Sequence, residues 1–423
     1  MSASVWILTA GFAALVVLGV PFVFAIGLVV VAVITVADIP SMLLPQTMVA
    51  STQSFSLLGI PFFMLAGELM SAGGLSRRLI AVADVLVRHL LGGLGHVTIV
   101  AACIFAAISG SAPATTAAIG TAMIPAMAER GYSRPYATSL AVSAGVLAPL
   151  IPPSIAFIIW GVIAEQSIAQ LFLAGVIPGL IMAIGLSAIV IWRAHRDRVP
   201  QLPRATAAEV GRALRQGVWA LLAPVIVLGG IYGGVFTPTE AAAVVCFYSF
   251  IVGVFVEKAL RFSQVPAVIL RAMTVSAIVM GIVAVSGGMG VLVAQEQFAT
   301  KLAALLSASI HQQWVMLLIL NLGFFLLAAV MDEIALMLIF GPMLIAIGHQ
   351  FGIDPIHFGA MIVTNVAIGM AAPPIGYCLF VGTAISGQRL TAVARAIWPQ
   401  IVMMLAVLML VTYVPAFSLA LIR

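Results

Sequence analysis

Four short stretches of this chain put oxygen donors, or residues that free backbone oxygens, inside long apolar surroundings: Ser109-Gly110-Ser111, Gly145–Ser154 (GVLAPLIPPS), Met331-Asp332-Glu333, and Thr364-Asn365 with Gly369–Gly376 (GMAAPPIG). Serine offers a hydroxyl, and proline removes an N–H that would otherwise satisfy a helical carbonyl. Hard, uncharged oxygens at interrupted helices suit Na⁺. Small residues such as Ser109 and Ser111 also serve close helix packing, a second reading of the same pair. Asp332 and Glu333 add carboxylates. At membrane depth an acid is costly and marks function; at a tip that reaches the surface both would simply be solvated, and Glu333 also fits the start of the next helix. Asp332 is the stronger candidate. Glu68 and Glu240 fall near helix ends, and Thr237-Pro238-Thr239 reads as a helix start, so both acids are expected to be structural. Enzymatic chemistry finds little support. The six histidines are scattered without HExxH, there is no GxxxxGK[ST] loop, and SGSA lacks the GxSxG of a nucleophile elbow.

Composition supplies the surroundings. Hydrophobic residues make up 63% of 423 positions and charged residues 7%, against about 25% charged in soluble domains. Residues 1–37, 135–164, 166–192, 216–239, 302–331, 355–388 and 396–422 contain no Asp, Glu, Lys or Arg. Each run is long enough to cross a hydrocarbon core of roughly 30 Å, and the length suits about ten to twelve spans. The first residues lack a basic region followed by a cleavage site, so they read as a retained helix. Residues 3–37 fit either two short spans hinged near Pro21 or one long tilted helix. Cys103, Cys246 and Cys378 form no disulfide framework or metal motif. A net charge of +5 reflects loop topology in such a chain, with the lipid bilayer and no nucleic acid as partner.

Basic patches mark cytoplasmic loops. They are Arg77, Arg78 and Arg88; Arg130 and Arg134; Arg193, Arg196, Arg198, Arg204, Arg212 and Arg215; and Lys258, Arg261 and Arg271. With all four inside, residues 94–128 leave and return to the same face, interrupted at 109–113, as a hairpin opening to the cytoplasm. Residues 135–164 run outward, broken at Pro152-Pro153. Residues 169–192 return, 217–235 go out, 240–257 come back and 265–290 go out again. Residues 313–350 form a second hairpin, interrupted at 331–333 and opening to the opposite side. Residues 355–387 cross inward, broken at Pro373-Pro374, and a last apolar helix reaches Arg423. At an offset of 221, Gly120, Gly131, Pro152 and Pro153 fall on Gly341, Gly352, Pro373 and Pro374, so backbone-determining residues repeat in register. The expected organisation is a first repeat over 1–192, a basic cytoplasmic linker at 193–216 and an inverted second repeat over 217–423. The fold class is an all-α polytopic membrane protein with an inverted-topology repeat, two re-entrant helical hairpins and two broken helices. Such repeats typify secondary transporters.

Several segments resemble the large membrane subunit of tripartite ATP-independent periplasmic (TRAP) transporters. They are SFSLLGIPFFMLAGELMSAGGLSRRL (54–79), ISGSAPATTAAIGTAMIPAM (108–127), GVLAPLIPPSI (145–155), YGGVFTPTEAAAV (232–244), MDEIALMLIFGPML (331–344) and NVAIGMAAPPIGYCLFV (365–381). They cover nearly the whole chain in the family's order. The resemblance implies an elevator-type scaffold plus a mobile transport domain carrying both hairpins, in the bacterial inner membrane. It implies two or more Na⁺ as coupling ions, an organic-acid (carboxylate) substrate, a separate small four-helix membrane subunit and a periplasmic substrate-binding protein. By motif, one Na⁺ site would use Ser109, Ser111, Gly145, Ala148 and Pro149 or Leu150. The other would use the second tip with Asn365, Gly369, Ala372 and Pro373. Ser111, Asp332, Pro152 and Pro374 are the positions expected near substrate, and this chain carries Ala112 and Pro113 at the first tip. Two alternatives stand beside it: a stand-alone elevator-type carboxylate symporter, which explains the repeat equally and would be told apart by the lack of a co-purifying small helical subunit, and an intramembrane enzyme, for which no catalytic pair is visible.

The inverted arrangement has a direct test. In a background without the native cysteines, cysteine at Gly131 is expected to react with impermeant reagents only from the cytoplasm, and cysteine at His349 only from the periplasm. Reaction of both from one side would refute the inversion.

Overall fold

A computed structural model describes residues 3–199, 201–297 and 312–422. Part of the uncharged run 302–331, linker position 200 and Arg423 lie outside these described residues. Among the described residues every regular element is a helix, as a lipid-embedded chain requires, because a helix satisfies its own backbone polar groups. Among the described residues, seven helices are long and apolar enough to cross a membrane. The N-terminal segment forms two short helices: one ends at Val17, and the next, Phe22–Val36, starts after Pro21. The turn between them holds Gly19 at φ +79°, so of the two sequence expectations the hinged one holds.

Seven helices form one packed group: Phe22–Val36, Leu43–Thr52, Gly59–Ala72, Leu75–Val87, Ala207–Tyr232, Pro238–Ile251 and Val265–Gln295. The long helix Val265–Gln295 touches the first three, while Gly59–Ala72 lies on Pro238–Ile251 and Leu75–Val87 on Ala207–Tyr232. Two starts are fixed by reciprocal caps, Thr206 with Glu209 and Thr237 with Glu240, which gives Glu240 the structural role expected of it. The basic patches meet at one end of the molecule. Arg78 pairs with Glu257 at 2.9 Å, Arg88 with Glu209 at 2.9 Å, and the Arg193 guanidinium lies 5.2 Å from the Tyr136 ring centre.

The remaining helices repeat. The first hairpin is Gly93–Ser109 with Ala112–Glu129, followed by the broken helix Arg134–Gly145 and Ile155–Ile163. The second hairpin is Gln313–Ala328 with Glu333–Gln350, followed by Pro355–Gly369 and Tyr377–Ser386. At the offset of 221, Ala112, Glu129 and Arg134 fall on Glu333, Gln350 and Pro355, each a helix boundary in both copies. Gly131 and Gly352 follow the second arms at φ +87° and +64°, where the left-handed turn ends a helix and a side chain would be strained. Both Pro-Pro bonds, Pro152-Pro153 and Pro373-Pro374, are cis.

The two copies interlock. Tyr377–Ser386 packs on Ala112–Glu129, and Ile155–Ile163 packs on Glu333–Gln350. The paired glycines sit at these crossings: a Cβ on Gly341 would meet Ile163 at 2.9 Å, and one on Gly120 would lie 3.9 Å from Ile385. Helices Ile168–Arg196 and Leu390–Tyr413 close the group.

Close approach at Gly369 is testable. A Cβ there would fall 2.2 Å from the Ala328 Cβ and 2.8 Å from its carbonyl carbon. Gly369→Ala is therefore expected to destabilise by roughly 1–3 kcal/mol. Gly323→Ala, on a helix position with nothing within 4 Å, is expected to hold or raise stability. Thermal unfolding in detergent compares them; equal melting temperatures would contradict the docking of the second hairpin.

Candidate functional site

At the first tip, Gly110 turns the chain at φ +58° and Ser111 caps the second arm, its Oγ accepting from the Ala114 N–H at 3.5 Å. Ser109 is buried and its Oγ shares a hydrogen bond with Thr115 Oγ1 at 2.8 Å. Pro113 lies in the first helical turn, where the missing N–H costs nothing, so the interruption is shorter than the 109–113 read from sequence. Facing the tip, Arg134–Gly145 ends and residues 146–154 continue as turns, with the Ala148 N–H donating to the Gly145 carbonyl at 3.0 Å. The Ile155 N–H, at the start of the next half-helix, donates to the Gly110 carbonyl at 3.3 Å. A Cβ on Gly145 would meet Thr116 Oγ1 at 2.0 Å and the Ala112 carbonyl oxygen at 3.0 Å. Ser109, Ser111 and Gly145 thus converge on the hairpin's turn, while Ala148 and Pro149 are buried in the break. The Leu150 carbonyl instead abuts Gly175 of Ile168–Arg196.

The second tip follows the same plan. Asp332 occupies the position of Ser111 and caps Glu333–Gln350, its Oδ1 accepting from Ile334 and Ala335 N–H at 3.0 and 3.4 Å. The Gly376 N–H donates to the Ala329 carbonyl at 3.0 Å, the counterpart of Ile155 with Gly110. Gly369 and Ala372 are buried beside this tip, and Ala372 N–H closes a turn on the Gly369 carbonyl at 2.9 Å; Pro373 is half-buried. The helix runs on to Gly369, so Thr364 and Asn365 lie within it and not in the break, which occupies 370–376. Gly369 does not stop the helix because Met370 N–H still reaches the Val366 carbonyl at 3.1 Å. Asn365 therefore offers only its side chain. Its Nδ2 donates to the Asn321 carbonyl and Oδ1 at 2.8 and 2.9 Å, and its own Oδ1 is buried without a partner.

A cavity of about 650 Å³ touches both tips through Ser109, Ser111, Asp332 and Glu333. It runs along one flank of Ala112–Glu129 as far as Thr121 and Ala122, walled opposite by Gly59–Ala72 and Val265–Gln295, and reaches Arg77. Second-hairpin residues enter it only at 332–334. Pro152 and Pro374 are not among its lining residues: Pro152 is buried and Pro374 exposed on other faces of the breaks. Glu68, read from sequence as structural, lines the cavity and pairs with Arg271 at 3.5 Å.

Sequence reasoning passed over Thr115, Thr116 and Asn321, and it gave Glu68 a structural role only. Paired threonines in ISGSAPATTAAIG and a lone asparagine in the uncharged run 302–331 were available signals, since polar side chains in such runs seek partners. Arg77 looked like one more loop charge.

The comparisons agree with this architecture. The family model "Tripartite ATP-independent periplasmic transporter, DctM component" matches residues 9–417. The C4-dicarboxylate TRAP transporter large permease protein DctM of Rhodobacter capsulatus is 36% identical, over 96% of each chain. The 2,3-diketo-L-gulonate TRAP transporter large permease protein YiaN of Escherichia coli is 36% identical, over 88% of each chain. The crystal structure of the Alcanivorax borkumensis YdaH transporter has a TM-score of 0.61 at 15% identity, covering 89% of this chain and 88% of its own, a likeness of fold. With repeat, interrupted helices and whole-length relatives in accord, the chain belongs to the large permease family of tripartite ATP-independent periplasmic transporters, as a transport component and not an enzyme.

Proposed function

We propose that this chain is the Na⁺-coupled, substrate-translocating subunit of an importer in the bacterial inner membrane, and that it moves an organic acid by an elevator motion. The observation that carries the reading is the symmetric docking of each hairpin tip beside the break of its own broken helix, with uncharged oxygens on both sides. Ser109, Ser111, Gly145 and the adjoining Thr115 and Thr116 supply the first cluster. Asn365 Oδ1, unpartnered and buried, with the carbonyls around Gly369 and Ala372, supplies the second. Neutral oxygens compensate a monovalent cation without a buried charge of their own. Re-entrant tips fit the rule that irregular backbone at membrane depth must be buried in protein or line a cavity.

The cavity gives the reading a direction. With the basic end placed inside, it leads from both tips along the first hairpin to the cytoplasmic side, an inward-open arrangement. The relatives' names concern dicarboxylate and diketogulonate, both organic acids. A carboxylate would be repelled by Asp332 directly, so Asp332 holds a hydroxyl of the substrate or a bound cation. A separate small membrane subunit and a periplasmic binding protein complete the tripartite system, and substrate choice rests with the binding protein. Exposed apolar side chains such as Trp219, Val225, Phe247 and Phe255 suit lipid or such a helical partner.

Two measurements follow. In proteoliposomes holding both membrane subunits with the binding protein and its solute, uptake is expected to require a Na⁺ gradient. Equal uptake with K⁺, or uptake driven by a proton gradient alone, would overturn Na⁺ coupling. Asp332→Asn keeps the capping oxygen, so its melting temperature is expected near wild type while uptake falls by about tenfold or more. Asp332→Ala loses the cap as well and is expected to lose about 1 kcal/mol of stability. Full uptake by Asp332→Asn would reduce Asp332 to a cap, and a matching fall in its melting temperature would make it a structural charge.

A further inference from the structure

Arg77 is the only basic residue among those lining the cavity. Its neighbour Arg78 is committed to Glu257 through two nitrogens at 3.1 and 2.9 Å and to Gln216 at 3.0 Å, and Arg88 is committed to Glu209. Arg77 is exposed and makes no ion pair or hydrogen bond among the described residues. Ser76 lines the same cavity at only 8% exposure, and its hydroxyl likewise makes no hydrogen bond among the described residues. Both lie in the first turn of Leu75–Val87, whose cap residue Gly74, at φ +77°, brings no side-chain acceptor to the free N–H groups there. That turn is set back from the tips. A Cβ on Gly67 would lie 3.3 Å from the Ser109 Cβ, and Gly59–Ala72 then runs on to Ala72, roughly 8 Å further at 1.5 Å per residue, before the chain turns. Glu68, the carboxylate on this wall, is engaged by Arg271.

A free guanidinium, a nearly buried hydroxyl without a partner and the open N-terminus of a helix are all donors, and together they fit an oxyanion. We propose that Ser76 and Arg77 form a carboxylate-binding subsite on the cavity wall, outside both hairpins, where an acid leaving the tips is held before release to the basic side. The planar guanidinium takes both carboxylate oxygens, and the Ser76 hydroxyl and the first-turn N–H groups meet one of them. An arginine open to water holds a carboxylate weakly, which suits a station that must let go. The subsite shares no residue with the two tip-and-break clusters. That its anion is the transported substrate rests on the organic-acid reading above; the subsite itself rests on the unpartnered donors.

Thiol protection in vesicles holding the two-subunit membrane complex tests the proposal. The native cysteines are removed and one cysteine replaces Ser71, an exposed residue that lines the cavity just before the Gly73-Gly74 turn. Its reaction with neutral N-ethylmaleimide is followed in K⁺ without Na⁺, so that the tips are not loaded, with malonate as the carboxylate probe on both faces and chloride at equal ionic strength as the reference. In phosphatidylcholine vesicles malonate is expected to slow the reaction severalfold, and Arg77→Gln is expected to weaken that protection by about tenfold. Ser76→Ala is expected to weaken it by a smaller factor, and it carries the test should Arg77→Gln not fold. No protection in the parent protein, or equal protection in the variants, overturns the subsite. Protection that appears only after Na⁺ is added puts the anion at the tips and also overturns it. If vesicles with equal parts phosphatidylglycerol protect the thiol through Arg77 and leave malonate no further effect, the occupant is a lipid headgroup and the carboxylate assignment falls. None of these readings needs transport. In Na⁺-gradient uptake with the binding protein and its solute, Arg77→Gln is expected to lower the maximal rate severalfold. An unchanged rate, or no uptake of any organic acid by the parent protein, overturns the release role and leaves the subsite to the protection result.

Discussion

The constraint on which this structure turns is that a backbone interrupted at membrane depth finds no water to satisfy it. Each hairpin turn and each broken helix exposes such groups, and they are satisfied against one another. The Ile155 N–H reaches the Gly110 carbonyl, and the Gly376 N–H reaches the Ala329 carbonyl. Close backbone approach at these joints explains why glycine stands at 110, 145 and 369, where a Cβ would run into the opposite segment. It also explains why oxygens gather there: capping residues, turn carbonyls and small hydroxyls are what an interrupted helix needs, and they are what a sodium ion accepts.

Much of this was legible in the sequence because glycine and proline act locally. The offset of 221 was carried by Gly120, Gly131, Pro152, Pro153 and their partners, and the helix boundaries repeat at that spacing. The helix start at Thr237 followed from capping chemistry, and Glu333 was legible as the beginning of a helix; the cap at Ser111 was not. The exchange of half-helices between repeats was not legible, since apolar residues facing lipid and apolar residues facing protein are nearly interchangeable in a membrane chain. Thr364 and Asn365 were assigned to a break because polar residues beside glycine resemble one; the helix in fact continues to Gly369, and Asn365 works through its amide. The Leu150 carbonyl shows the same limit: sequence tells that a carbonyl is released, while the packing of Gly175 decides where it points. Arg77 was indistinguishable from its loop neighbours until Arg78 was seen to pair with Glu257 while Arg77 turned to the cavity.

The cavity sets the electrostatic problem that the proposed transport of an organic acid must solve. Its tip end holds Asp332 and Glu333, its far end Arg77, and its wall a neutralised Glu68–Arg271 pair. An anion is drawn toward Arg77 and repelled near the tips unless cations are present. Under the proposed function, such a gradient would favour release to the basic side and make occupancy at the tips conditional on bound cations, so that coupling would arise from charge compensation in a low-dielectric site.

The claim that the two tip-and-break clusters hold the coupling ions is tested most directly by hydrogen-exchange mass spectrometry of the purified complex, in Na⁺ against K⁺ at equal ionic strength. Peptides covering 108–116 with 145–155 and 328–336 with 369–378 are expected to exchange more slowly in Na⁺, with the helices of the Gly59–Ala72 and Ala207–Tyr232 group unchanged. Equal exchange in both salts at these segments, or protection confined to the other helices, would contradict it.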